Sequence, residues 1–358
     1  MSETPTSDAA WDAVLGMFGD LTEIVRADAR DDRERVEGYR VLARTMALCS
    51  ELSFDLDPDV PRFFPMTTPL RQIAGPNPDG EYDLCAITPG RSYRIRGERR
   101  TVTYLGFQVM AGTGLTPRRQ AGYLSDRDLQ VDADGRFTFV LAPSDPGTGE
   151  QWVELPEDAS AIVVRQYIAD RGAEEIATYH IEQIETVAPV AALSDETAAE
   201  QITAFMWTMF KLLTLHRTVL PDLPNEPNRL VTAEAAALGS ENTTPDNLYM
   251  LGCFDLGPDE TLVLDITPPD TRYWSITLEN IWHECLDPFR TRSSGTNAHF
   301  VPRPDGTVRV TVGAEDPQVP NWLDTGGRSR GFIVLRWLDN PQAPHVSTAA
   351  QPTKKVTP

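Results

Sequence analysis

The feature that most limits how this chain can fold is a series of short β-type runs separated by turn residues, with no helix between them. "SYRIRG", "RTVTYLGFQVM", "GRFTFVLA", "EQWVEL", "AIVVRQYI" and "ATYHIEQI" follow one another between about Tyr82 and Ile184. Without helical crossovers the strands cannot form a parallel α/β sheet, so they imply a sandwich or a barrel. "DADGR" between two runs reads as a hairpin turn, because Asp and Gly accept the positive φ that such turns require. A second series follows: "NLYMLGCFDL", "TLVLDITPP", "RYWSITLEN", "TVRVTV" and "GFIVLRWL", several of them divided by polar turns such as "GPDE" and "RPDG". A mainly β chain of two consecutive sandwich domains is the expectation, and no repeat of fixed period is visible.

Helical spacing frames these β regions. Trp11, Val14, Leu15, Phe18, Leu21 and Val25 recur on one face, as do Tyr39, Leu42, Met46 and Cys49. The mixed-charge run "RADARDDRERVEG" between them suits a solvated helix face or a turn. Pro58, Pro61 and Pro65 end this helical region. A long helix is predicted over "SDETAAEQITAFMWTMFKLLTLHR", with Ser194 or Thr197 as its cap and Glu200 completing a capping box. Ile202, Phe205, Met206, Met209, Leu212 and Leu213 form its apolar stripe, expected to pack between the two β regions. The expected organisation is a helical region over 1–55, a first β-sandwich domain over 56–190, helix and connector over 191–240, a C-terminal domain over 241–340 and a disordered tail over 341–358.

Charge excludes some partners. The formal net charge is −21 and the pI near 4.6, whereas nucleic acids and anionic membrane surfaces both require a cationic footprint. The longest apolar stretch, "AFMWTMFKLLTL", is far short of the roughly 20 residues of a spanning helix. No secretory or lipidation pattern opens the sequence, so a cytoplasmic location without membrane insertion is expected. Cys49, Cys85, Cys253 and Cys285 show no C-x-x-C spacing and read as buried thiols.

Two stretches carry a family resemblance. "NPDGEYDLCAITPGRSYRIRGERRTVTYLGFQV" resembles the N-terminal β domain of domain-of-unknown-function family 1254. "RYWSITLEN", "RPDGTVRVTV" and "NWLDTGGRSRGFIVLRWL" resemble family 1214, through Trp274, Asp305-Gly306, Asn321-Trp322-Leu323 and the closing strand. The resemblance implies two consecutive β-sandwich domains, the second jelly-roll-like, and it supplies no catalytic residue set.

The stretch "LENIWHECLDPFRTRSSGTNAHF" holds the densest set of chemistry-bearing residues. Trp274, Ile276 and Leu278 alternate with Ser275 and Thr277 as in a half-buried strand, expected to run to about Trp282. His283 and Glu284 are then the acid/base candidates, and Trp282, Arg290, Arg292, Asn297, His299 and Trp322 the ligand-binding candidates. If strands before and after the loop pair, His283 and His299 could face each other. A metal site is not expected, since adjacent strand residues point to opposite faces and no cupin-type H-x-H precedes a Glu. No G-x-S-x-G elbow exists, and Cys285 beside His283 reads as a structural thiol. "TGGRSRG" (Thr325 to Gly331) reads as a flexible hairpin loop, although Arg290, Arg292, Arg328 and Arg330 would attract an anion if they converge. No cofactor is expected. Three functions stay open: a small-molecule binder of anionic or carbohydrate/lipid-like ligands, an enzyme of hydrolase or lyase type using the same cleft, and an accessory subunit binding a partner chain. Homo-oligomerisation is left open by the sequence.

Overall fold

The computed structural model describes residues 6–112, 118–185, 192–233, 238–239, 243–287, 290–339 and 344–353. α1 (Thr6–Asp28) buries Val14, Met17, Leu21 and Val25, and α2 (Asp32–Ser50) buries Val41, Leu48 and Cys49. Asp31 caps α2 by accepting the Glu34 N–H at 2.9 Å. The mixed-charge run is thus a turn and the solvated start of α2. A π-helical turn at Glu51–Asp55 leads into the prolines.

α3 (Asp195–Leu213) begins at Ser194, whose hydroxyl accepts the Thr197 N–H at 3.1 Å. Its Asp195 carboxylate also accepts the N–H of Thr6 at 2.7 Å and of Ser7 at 3.2 Å, which pins the α1 and α3 N-termini together. Phe205 meets Phe54 at a centroid distance of 5.8 Å. The stripe on α3 therefore packs on the N-terminal helices, where the sequence suggested packing between the two β regions. That pattern reports burial without naming the partner.

The first β region contains β1 (Phe64–Pro65), β2 (Gly80–Ala86), β3 (Tyr93–Glu98), β4 (Tyr104–Ala111), β5 (Arg119–Ser125), β6 (Arg136–Ala142), β7 (Gln151–Glu154), β8 (Ala159–Tyr167) and β9 (Thr178–Gln183). They form two sheets, ordered β1-β2-β8-β4-β5 and β7-β6-β3-β9. Phe107 on β4 packs edge-on against Phe139 on β6 at 4.9 Å, closing the core between the sheets.

The second β region contains β10 (Arg229–Ala233), β11 (Asn247–Asp255), β12 (Glu260–Thr267), β13 (Trp274–Glu279), β14 (Ser294–Thr296), β15 (Val308–Gly313), β16 (Trp322–Asp324), β17 (Arg330–Leu338) and β18 (His345–Pro352). Its sheets are ordered β10-β11-β17-β13-β14 and β16-β15-β12-β18. Trp274, Ile276, Leu278, Ile333, Leu335 and Trp337 face Leu262, Leu264, Ile266, Val308, Val310 and Val312 across the core. At roughly 1.5–3 kcal/mol per large apolar side chain, this layer is the main force holding the sandwich together.

Counted from the first strand of each region, the two strand orders are identical, and one edge pair of each four-stranded sheet, β6–β7 and β15–β16, is parallel in both. Sequence correspondences follow at near-constant spacing. Asp134-Gly135 matches Asp305-Gly306, both glycines with φ near +80°, and "IVVRQY" in β8 matches "IVLRWL" in β17. Trp152 donates its indole N–H to Ala142 O at 3.1 Å, and Trp322 donates to Gly313 O at the same distance. The chain is a duplicated sandwich whose copies share geometry and few residues.

By internal contacts, one compact unit holds 1–67, 81–166 and 175–214, and the other holds 68–80, 167–174 and 215–358. The linear boundaries expected from sequence are therefore corrected. Two short segments from the first β region belong with the second sandwich, and β10 makes part of the connector a strand of it. The tail is also corrected. His345–Pro352 pairs antiparallel with β12 over eight positions, and Thr348 Oγ1 donates to Asn228 O at 2.6 Å. Its side chains are mostly exposed and polar, so composition suggested disorder, but sheet pairing needs only backbone donors and acceptors. Residues 341–343 and 354–358 of the expected tail lie outside the described residues. A chain ending at Asp339 is expected to lose roughly 3 kcal/mol or more of stability through these bonds and the β12 edge they cover. Urea unfolding measures this, and an unchanged midpoint would mean the strand contributes nothing.

Candidate functional site

β13 is buried on both faces, not on one. Trp274, Ile276 and Leu278 enter the core, while Ser275, Thr277 and Glu279 lie on the outer face. The segment 68–80 covers that outer face. Arg336 on β17 donates to Thr277 Oγ1 at 3.1 Å and to Gly75 O at 2.8 Å, and Cys285 N–H donates to Gln72 O at 2.9 Å. The strand stops at Glu279, short of the Trp282 expected from sequence.

A tight turn replaces the missing strand residues. Asn280 Oδ1 accepts the N–H groups of Trp282 at 3.0 Å and Glu284 at 3.1 Å, and Asn280 O accepts His283 N–H at 3.1 Å. His283 consequently sits at φ +56°, a region that non-glycine residues rarely occupy. Its Nδ1 lies 2.8 Å from Glu279 Oε2, and its ring stacks on Phe332 at 4.1 Å. An ionised carboxylate can only accept, so Nδ1 carries the proton. Nε2 of His283 and Oε1 of Glu279 are buried with no hydrogen-bond partner among the described residues.

Of the two acid/base candidates, His283 bonds to Glu279. The Glu284 carboxylate accepts from Asn280 Nδ2 at 3.2 Å and locks the turn. Glu279 and Arg336 were not among the candidates read from the sequence. Their signal was a charged residue inside a strand that is apolar on its other face, as in "SITLE" and "IVLRWL".

The remaining candidates fall at two ends of β13. In the antiparallel β13–β14 pair Ser275 faces Thr296 and Thr277 faces Ser294. That register carries His299 to the start of β13, while His283 follows its end, so the two histidines do not face each other. His299 is exposed and its Nδ1 accepts Thr296 N–H at 3.1 Å. Asn297 closes the same end, accepting Trp274 N–H at 3.2 Å and donating to Arg272 O at 3.3 Å. Of the four C-terminal tryptophans, Trp274, Trp282 and Trp337 are buried and Trp322 is half-buried with its N–H bonded, so no exposed indole platform forms.

Arg290 and Arg292 are exposed at the far end of β13. Asp324 N–H donates to Arg292 O at 2.8 Å, which lays their loop against the one holding Gly326, Gly327 and Arg328. A Cβ at Gly326 would lie 3.1 Å from Thr291 Cγ2 and 2.6 Å from Arg328 Nη1. Arg328 folds back to Thr325 O at 3.1 Å, Arg290 pairs loosely with Asp287 at 3.6 Å, and Arg330 faces Asp255 across the sheet. No cluster of three or more His, Cys, Asp or Glu suited to a metal exists among the described residues.

Two buried groups of the C-terminal unit have displaced protonation equilibria. Burial, then the Glu279 charge, pushes the Cys285 thiol well above its ordinary value, consistent with a structural thiol bonded to Pro76 O at 3.2 Å. Burial also raises the Asp79 carboxyl, against the pull of His299, Arg171 and Arg336. With the folded value above the unfolded value of about 3.9, the folded state holds the extra proton, so this group lowers stability as pH rises through that window. Asp79→Asn is expected to raise the thermal midpoint at pH 7 and to leave it unchanged at pH 3. A lower midpoint at pH 7 would mean that the carboxylate stabilises the fold.

No curated protein matches the sequence significantly. An uncharacterized protein from Burkholderia cenocepacia matches in structure with a TM-score of 0.90 at 29% identity, over 96% of this chain and 97% of its own. A Vibrio parahaemolyticus protein shares the fold at a TM-score of 0.51 and 10% identity, over 87% of this chain and 97% of its own. The model found over the first β region is that of family 1214, where the resemblance pointed to 1254. The family described as "Protein of unknown function (DUF1214)" matches this chain at residues 89–171 and 257–342, which are corresponding stretches of the two sandwich copies.

Proposed function

We propose that the chain binds a small anionic ligand at the loop-built end of the C-terminal sandwich, through Arg290, Arg292 and Arg328. The observation that carries this reading is the apposition of the two arginine-bearing loops by the Asp324 to Arg292 backbone bond, in a chain of net charge −21. Three guanidinium groups against Asp287 and Asp324 leave a local cationic excess. A guanidinium takes a carboxylate or phosphate in bidentate fashion, and the surrounding negative field confines such an anion to the cationic spot. That none of the four C-terminal tryptophans is exposed weighs against the carbohydrate or lipid class at this end of the sandwich.

Thermal unfolding at constant ionic strength, with inorganic phosphate or citrate exchanged for chloride, tests this. At ten times its Kd the anion adds about 1.4 kcal/mol, a midpoint rise of roughly 2–4 °C. Arg290→Ala and Arg292→Ala are expected to remove that rise, with midpoints in chloride within about 1 °C of the parent, because both side chains are exposed. No rise with either anion, or a rise that survives in the double variant, would sink the reading.

A further inference from the structure

The two sandwich copies solve the same burial problem differently. In the first, buried Arg165 on β8 donates to Gln108 Oε1 on β4, and Gln108 donates to Gln120 Oε1 at 2.9 Å. One cation meets neutral acceptors there, and β4 continues through to Ala111. In the second copy the matching arginine is Arg336, and the position matching Gln108 is Glu279. Arg336 takes Thr277 and Gly75 O instead, which leaves the Glu279 carboxylate to His283. β13 is cut short so that His283 can turn back onto it.

This arrangement is costly. A non-glycine residue held at positive φ is strained, and each unpaired buried polar atom forfeits the hydrogen bonds it makes in water. The first copy carries none of these costs: Gln108 stands in place of the carboxylate, and the position matching His283 is Gly112, which takes its φ of +116° without strain. Structural burial alone therefore gives no reason for Glu279 and His283 to be where they are.

We infer that Glu279 and His283 form a proton-accepting site for a small ligand bearing an O–H or N–H group. The carboxylate holds the Nδ1 proton, which in the neutral imidazole places the lone pair on Nε2. When Nε2 takes the proton, the ligand's O–H or N–H bond breaks, a new N–H bond forms, and the electron pair stays on the ligand's heteroatom. Glu279 then faces an imidazolium it can stabilise at 2.8 Å. Side-chain exposure is 6% at His283 and 0% at Glu279, so a ligand reaches Nε2 only through local opening of the covering segment. The inference is independent of the anion site, because it involves none of the arginines named there.

Diethyl pyrocarbonate, which acylates neutral imidazole nitrogen, is the probe. The intact folded chain is treated and each histidine followed by peptide mass spectrometry, with exposed His299 as the internal reference. His283 is expected to be carbethoxylated on the folded chain, and Glu279→Gln to slow its reaction about tenfold relative to His299. His283 still unmodified once His299 has fully reacted would overturn the site. Equal His283 rates in the parent and in Glu279→Gln would overturn the role given to the carboxylate. If that variant does not fold, mapping of the parent chain decides alone.

Discussion

Ser275, Thr277 and Glu279 are buried on the outer face of a sheet whose inner face is already committed to the core. Polar groups taken out of water need partners, each lacking one costing on the order of 1–3 kcal/mol. Residues far away in sequence meet part of this demand, while Ser275 Oγ and Glu279 Oε1 have no hydrogen-bond partner among the described residues. Arg336 reaches Gly75 O, Cys285 Sγ reaches Pro76 O, and Asn77 donates to Tyr273 Oη at 2.6 Å. Segment 68–80 is therefore integral to the C-terminal unit and covers the face on which Glu279 lies.

Duplication gives this arrangement its context. Both copies keep the strand order, the Asp-Gly turn, the tryptophan that donates to the neighbouring strand, and the buried arginine. These shared features answer what any such sandwich requires: a tight turn, a bonded indole and a compensated cation. The copies part where one holds Gln108 within a continuous strand and the other holds Glu279 before a turn. Family matches over corresponding stretches of both copies fit a common architecture and assign no chemistry to either.

Most of the fold could be read from local pattern. Helical spacing of Val14, Leu21 and Val25 placed α1, and period-two or continuous apolar runs marked most strands, since neither signal depends on distant residues. β18 was hidden because polar residues can pair through backbone alone, and the partners of α3 because a stripe does not say what it meets. In the site, Trp282, His283 and Glu284 were legible as a dense polar-aromatic set. Strand register, set by the Ser275–Thr296 pairing, then sent His299 and Asn297 to the opposite end.

By itself the sequence determined the β-rich class, the helical N-terminal region, the acidic character and the stretch where unusual residues gather. Each is a property of composition or of near neighbours along the chain. Only the tertiary structure decided that His283 pairs with Glu279, that Glu284 locks a turn, and that Arg292 lies against the Arg328 loop. The first two depend on a turn between residues four apart, whose course no hydrophobic period encodes, and the third on a backbone bond between residues far apart in sequence.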